Sequence, residues 1–442
     1  MNSYSCHSLI QNRIIQPKSH NSQKLFREKL LNASSLFHSD IKGHFGCVNA
    51  IEFSNNGGNM IASGGDDRRV LLWNTQKAMW RKGSPSCMKS EHRSNIFCIA
   101  FDKDNEKIFS GGNDEQVFVH DAATGNPVDN FMHEDAVYGL STDPNNPHVF
   151  ASACDDGRIL IYDIREPADS EPFCLANYVS SMHSVMYNPL DPRLVATANV
   201  REGIGLWDVR KPKSCIMRYG GEFEQQSCMS VRINNQGTQI LALRRRLPPV
   251  IYNIDSKSPV VEFDHTGYFN SCTMKSCCFA GDRDQYILSG SDDFNVYMWA
   301  IPPDLSTSNN FFCTGQYINK AHLVLKGHRS IVNQVRFNRD NGLIISSGVE
   351  KTIKAWCAFP LNVPDEIEDN DELLNSNGER PVFTHEEYIN LMLRSGHVMS
   401  HDYTQQSTEE DPRMMAFFDS LVQREMESWS SSEEFSSNEE EL

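Results

Sequence analysis

No apolar run in the 442 residues approaches the roughly 20 that a membrane-spanning helix needs. The first dozen residues, with Cys6, His7 and Asn12 around a short apolar pair, lack the core of a secretory signal. Such a chain is expected in the nucleus, the cytoplasm or both, away from membranes. The thirteen cysteines are odd in number and include no C-x-x-C pair, which argues against a disulfide framework and makes reduced thiols the expectation. Cys272, Cys277 and Cys278 lie close together, but Cys277 and Cys278 fall in an apolar, strand-like run and read as buried structural residues, not metal ligands. There is no G-x-S-x-G, no Walker loop and no H-E-x-x-H; His397 and His401 have the last motif's spacing without its Glu. Neither catalysis nor a cofactor is expected. Lysine is absent beyond residue 360, where 21 Asp and Glu face 4 Arg, so the net charge of −17 resides there and the first 360 residues balance.

What is present is a repeat. One copy runs from Gly43-His44 through Ala62-Ser63-Gly64-Gly65-Asp66-Asp67 to Val70-Leu71-Leu72-Trp73, and a second from His92 through Ser110-Gly111-Gly112-Asn113-Asp114 to His120-Asp121. His133, Ser152, Asp156 and Tyr162-Asp163 mark a third; His183, Thr197 and Trp207-Asp208 mark a fourth. A degenerate fifth ends at Tyr252-Asn253, a sixth at Trp299, and a seventh, opened by Gly327-His328, at Trp356. The aromatic landmarks, with His120 standing in for one, lie 47, 42, 45, 45, 47 and 57 residues apart. At that period four short strands form a unit that buries its faces only by stacking on its neighbours. The pattern resembles the WD40 repeat. This implies an all-β, seven-bladed propeller over residues 36–360, with His44, Asp67, Ser63 and Trp73 forming a structural hydrogen-bond network in the first blade. Because the trio recurs from blade to blade, it is not read as a catalytic triad. Ser35-Leu36-Phe37-His38 stands where the last blade needs a fourth strand, so the N-terminal strand is expected to close the ring.

Two consecutive copies end alike, in Tyr162-Asp163-Ile164-Arg165 and Trp207-Asp208-Val209-Arg210. An Arg just past the third strand offers a flat, permanently charged fork that the Asp two residues earlier can hold. Rim salt bridges serving no partner are the plainer account. The pair resembles the signature of the substrate receptors of cullin-4 RING ubiquitin ligases. With the stretches Gly43 to Ala50, Gly64 to Arg69, Leu243 to Pro249 and Asp411 to Phe418, residues 40 to 430 are similar to the damaged-DNA-binding protein 1 and cullin-4-associated factors. The resemblance implies that Asp163 and Asp208 orient Arg165 and Arg210 against the adaptor, damaged-DNA-binding protein 1, and through it reach cullin-4 and a RING subunit. The chain would then be a non-catalytic receptor presenting clients for ubiquitination. A ligase-independent scaffold or chromatin-associated peptide reader is the alternative. Tyr162 in place of Trp is a mild departure from the family pattern.

In a WD40 blade the turn between second and third strands lies on the opposite rim. Blades 2, 3 and 6 keep Asp114, Glu115, Asp155, Asp156, Asp292 and Asp293 there. Arg201 and Arg246 replace the turn Asp in blades 4 and 5, Arg244 and Arg245 adjoin, and Arg68 and Arg69 extend the turn of blade 1. This predicts a client-facing rim that is basic over blades 4 and 5; arginines paired within the rim are the alternative. Without interleaved aromatics, such a cluster suits an acidic or phosphorylated protein segment better than nucleic acid.

Residues 1–35 read either as a disordered leader or as one carrying a short docking helix from about Gln23 to Leu31, and 361–383 as an acidic linker. Over 384–427 two amphipathic helices are expected to pack on the propeller or to carry a partner site, one opened by the capping box Thr384-His385-Glu386-Glu387, the other by Asp411-Pro412. The Ser/Glu tract 428–442 reads as disordered. Ser430, Ser431, Ser436 and Ser437, each with Glu three residues on, are candidate phosphorylation positions. The same tract is a candidate to occupy the basic patch in competition with clients.

Overall fold

Seven sheets radiate around a central channel, six taking their strands in chain order from the channel outward and blade 7 taking its outermost strand from the N-terminal side of the repeats. The computed structural model describes residues 20–89, 92–220, 227–303, 315–360, 382–395 and 406–437, side chains at 20–24 and 428–437 excepted. Blade 4 shows the plan, with Met182–Tyr187 innermost, then Leu194–Asn199, Gly203–Asp208 and Cys215–Tyr219. Because each blade is covered by a neighbour on both faces, second strands read as unbroken apolar runs without two-residue alternation. Gln239–Arg244 of blade 5 is buried at all six positions. The apolar clusters lie between blades: Ile51, Ile61 and Leu71 of blade 1 pack on Ile345, Ile353 and Ala355 of blade 7.

The ring closes as expected. Phe37–Lys42 pairs antiparallel with Thr352–Cys357, Phe37 opposite Cys357 and Lys42 opposite Thr352, and becomes the outer strand of blade 7. The 57-residue interval before Trp356 also has a structural cause. Between its third and fourth strands (Asn295–Ala300 and Leu323–Lys326), blade 6 sends Gln316–Ile318 to pair in parallel with the edge strand Pro259–Phe263 of blade 5. A sheet edge is thereby covered.

Antiparallel blades sort their loops by end. Connections from first to second and third to fourth strand leave at one rim, here called lower; those from second to third strand and between blades leave at the upper rim. Four described helices sit outside the sheets: α1 (His20–Leu31), α2 (Thr75–Met79), α3 (His385–Ser395) and α4 (Pro412–Ser437). None of the described helices is long and apolar enough to cross a membrane.

The leader helix α1 packs on its own propeller at the lower rim of blades 6 and 7. Its Leu30 is buried with Leu36, Tyr286, Leu288 and Ile344. Arg27 Nε donates to Asp282 Oδ1 at 2.8 Å, and Phe26 meets Phe359 edge-on with centroids 5.2 Å apart. At α3, Thr384 and Glu387 exchange hydrogen bonds as a capping box, the Thr384 amide donating to Glu387 Oε2 at 2.7 Å and the Glu387 amide to Thr384 Oγ1 at 3.3 Å. Helix α4 begins with the Met415 amide on the Asp411 carbonyl at 3.1 Å and continues to Ser437, into the tract expected to be disordered. After Pro412 no Gly or Pro interrupts it, and each added residue extends an existing hydrogen-bond ladder. Ser430, Ser431, Ser436 and Ser437 lie on this extension, but their side chains, like the leader before His20 and the linker over 361–381, fall outside the described residues.

Candidate functional site

The repeat residues settle first. In blade 1 the His44 ring links Ser63 Oγ (2.7 Å from Nε2) to Asp67 (3.0 Å from Nδ1), and Trp73 Nε1 donates to Ser63 at 2.8 Å. Burial pushes the Asp67 carboxyl up, but the His44 ring, the Phe45 amide and Arg69 outweigh it and hold the group well below the usual range. Blade 2 reproduces the chain with His120 in the Trp position, its Nε2 lying 2.8 Å from Ser110 Oγ; blade 7 keeps the His328–Ser346 and Trp356–Ser346 links, with Glu350 in place of Asp 3.5 Å from His328 Nδ1. These are internal ties between loop, turn and strand.

At the lower rim, Asp163 and Arg165 form a clamp. The Arg165 amide donates to Asp163 Oδ1 at 3.0 Å and its Nε to the same atom at 2.8 Å, while Nη2 reaches Oδ2. Asp208 and Arg210 repeat it with 2.9, 2.9 and 2.6 Å. Charge-assisted bonds from the arginine side chain, followed by its amide, hold the carboxyls of both Asp163 and Asp208 below their ordinary range. The backbone bond is an Asx turn, so the sequence Asp-x-Arg folds this way wherever a strand ends in it.

That generality has a consequence: Asp67/Arg69, Asp156/Arg158, Asp191/Arg193 and Asp411/Arg413 make the same clamp. Exposure and position separate them. Arg165 and Arg210 expose 61 and 62% of their side chains, against 27% for Arg69 and 23% for Arg158 on the upper rim. Arg193, exposed to 57%, belongs with the first two. It lies on the loop between the first and second strands of blade 4, on the lower rim, and its carbonyl accepts the Val209 amide at 2.9 Å. The sequence reading missed Asp191-Pro192-Arg193 because it looked only at the ends of third strands, although the spelling was the same. Leu190, one residue before this clamp, is 68% exposed and adds an apolar point to a three-arginine row.

The six upper-rim arginines do not form one open patch. Arg244 is buried with Nη2 3.1 Å from Glu262. Arg245 donates from Nε and Nη2 to the Ser271 carbonyl at 3.1 and 3.0 Å. Arg246 Nη2 donates to Glu425 of α4 at 2.9 Å, and Arg69 lies over the Phe45 ring at 3.7 Å. Arg68 and Arg201 are exposed. In blade 4 the Asn199 carboxamide oxygen does the work of the missing turn Asp, accepting the amides of Arg201 and Glu202 at 2.8 and 2.9 Å. The basic rim expected over blades 4 and 5 is thus divided, part held internally and part covered by α4. The helix lays Met414, Phe418 and Val422 on Cys47, Ile331 and Val349, and Phe418 reaches the upper mouth of the channel.

A family model described as WD domain, G-beta repeat matches residues 35–74, 84–121, 125–163 and 319–357. The chain carries WD40 repeats and folds as a seven-bladed propeller. The matched segments cover blades 1 to 3 and 7; blades 4 to 6 lie outside them, and the structure supplies those. This WD40 chain is 59% identical over 410 residues to DDB1- and CUL4-associated factor 5 of Homo sapiens, and equally to that of Mus musculus, which covers 93% of the chain and 43% of each relative. It therefore spans less than half the length of those relatives. It is also 31% identical over 180 residues to WD and tetratricopeptide repeats protein 1 of Mus musculus, covering 39% of the chain and 26% of that protein.

Proposed function

We propose that this chain is the propeller portion of a non-catalytic substrate receptor of a cullin-4 RING ubiquitin ligase. Its lower rim docks on the damaged-DNA-binding protein 1 adaptor, and its upper rim meets the client. The observation that carries the reading is the row of clamped, exposed arginines Arg165, Arg193 and Arg210 on one rim of adjacent blades. Each guanidinium is pre-oriented by its Asp, so less side-chain freedom is lost on docking. Leu190 beside them supplies an apolar contact at the same surface. The printed name of the relatives, associated with DDB1 and CUL4, supports the choice of partner. Helix α1 lies on the same rim, across blades 6 and 7, and extends the surface available to the adaptor.

In this role the chain makes no bonds; it contributes proximity and orientation, holding the client rigidly relative to a ubiquitin-charged enzyme. The client is an acidic or phosphorylated segment that engages Arg68, Arg201 and, where α4 yields, Arg246. Co-purification of the adaptor with wild type and with Arg165→Ala/Arg210→Ala tests the docking. Loss of recovery in a folded double variant is expected; equal recovery overturns the assignment of this rim.

A further inference from the structure

The channel wall has an uneven level. On the innermost strand of every blade, one residue pairs with the third residue of the second strand. In blades 1, 5 and 7 it is Glu52, Arg232 and Arg336, opposite Ala62, Leu241 and Ile345. In the other four it is Ala100, Ser141, Met186 or Cys278, none of them charged. Two guanidiniums therefore share one carboxylate at this level. They share it unequally: Arg336 Nε donates to Glu52 Oε2 at 2.7 Å, while the nearest Arg232 nitrogen is 3.9 Å away, beyond hydrogen-bond reach. Arg232 Nε is buried and takes no hydrogen bond among the described residues. A buried guanidinium donor left without an acceptor is costly, and its geometry suits an oxyanion.

The space beside it is equally specific. A cavity of about 430 Å³ runs up the channel from the two arginines to Phe418 of α4. One step above the arginine level, blades 4, 5 and 6 contribute Ser184, Ser230 and Ser276 to its wall, and Arg336 Nη1 donates to Ser276 Oγ at 2.7 Å. The other cation lining the cavity, Lys275, is paired with Asp292, and its carboxylate Asp66 sits at the upper mouth, held by Asn49 Nδ2 at 2.6 Å. Burial, then the charge of Arg336, brings Arg232 down to about 10, still protonated at neutral pH. With α4 across the upper mouth, the space suits a small solute better than a polypeptide.

We propose that the channel binds a small phosphate-bearing anion, held by Arg232 and Arg336 at its lower end and by the hydroxyls above them. Donors converging from several strands match a tetrahedral group with several acceptor oxygens better than a planar carboxylate, which one guanidinium fork would satisfy. The site lies away from the lower-rim clamps, so it stands or falls independently of adaptor docking.

The full chain, titrated with inorganic phosphate and with pyrophosphate against chloride at matched ionic strength, is followed by calorimetry and thermal unfolding. Wild type is expected to show saturable binding and a rising Tm. Arg232→Gln is expected to lose at least tenfold in affinity. Glu52→Gln, which removes the competing carboxylate, is expected to gain roughly tenfold. The unfolding transition of each variant in chloride shows whether it folds; should Arg232→Gln not fold, Glu52→Gln carries the comparison. Absence of saturable binding in wild type, equal affinity in folded Arg232→Gln, or no gain in Glu52→Gln overturns the proposal. So does an acidic peptide that binds in an Arg232-dependent way where phosphate and pyrophosphate do not.

Discussion

Arg329, on the loop entering blade 7, grips the carboxylate of Asp419 on α4 through two hydrogen bonds of 3.2 and 2.9 Å, and Asp419 is fully buried. The Phe383 amide also donates to Asp419, at 2.8 Å, so one carboxylate ties α4 both to the ring and to the segment leading into α3. Replacing it strands a partly buried guanidinium. Asp419→Ala is expected to cost about 3 kcal/mol and to free the C-terminal segment. Limited proteolysis should then cut near residues 406–412 while the ring survives; unchanged protection there counts against α4 as a fixed cover.

The clamp that the sequence reading passed over gives a second test. Arg193→Ala is expected to weaken adaptor binding by about 1–2 kcal/mol without moving Tm, because its side chain is mostly exposed. Binding to immobilised adaptor, measured beside Arg165→Ala and Arg210→Ala, ranks the three. An Arg193→Ala variant that binds like wild type confines docking to the other two.

Glu410 gives the C-terminal cover a pH dependence. Burial, followed by the nearby Glu350 carboxylate, raises its pKa to about 7, against the favourable Lys351 amide, which donates to Oε1 at 2.9 Å. A carboxyl raised in the folded state binds extra protons there, so its contribution is complete below its ordinary value near 4.5 and disappears as pH rises through about 7. The Lys351 amide should lose hydrogen-exchange protection, corrected for intrinsic rate, between pH 5 and 8. Glu410→Gln should flatten that profile; an equally steep one in the variant removes Glu410 as the cause.

Ser63 accepts from Trp73 and bonds His44 in a fully buried setting. Ser63→Ala leaves two buried polar groups short of a partner, and a loss of about 2–3 kcal/mol in chemical denaturation is expected.

Gly342 tests the seating of α1. It has φ +66°, and a Cβ there would lie 2.6 Å from the Phe26 ring. Gly342→Ala combines backbone strain with that clash and should lower Tm. Phe26→Ala in the same background should recover part of the loss if the clash contributes; no recovery leaves strain alone.

The ring, its closure and the four-residue network were legible because they repeat, and repetition averages out local ambiguity. His120 could be placed as a stand-in for Trp only because its neighbours fixed the interval. The upper rim was harder to read. Arg244, Arg245 and Arg246 are adjacent in sequence, yet one is buried on Glu262, one caps the Ser271 carbonyl and one meets Glu425, 179 residues away. Charge is visible in a sequence, whereas the partner that neutralises it is set by tertiary contact. The Glu52, Arg232 and Arg336 level was unreadable for the same reason: each lies in an ordinary strand, and only ring closure brings them together.

The strand Phe37–Lys42 precedes every other described strand in the sequence but pairs with Thr352–Cys357, more than 300 residues later. At roughly 5–20 residues per second the edge of blade 7 waits about 15 to 60 seconds for its partner during synthesis. Through that interval the nascent chain is an open array of blades with both terminal faces uncovered. The step that completes the propeller is therefore also the one that ends its exposure to chaperones and to other unfinished copies of itself.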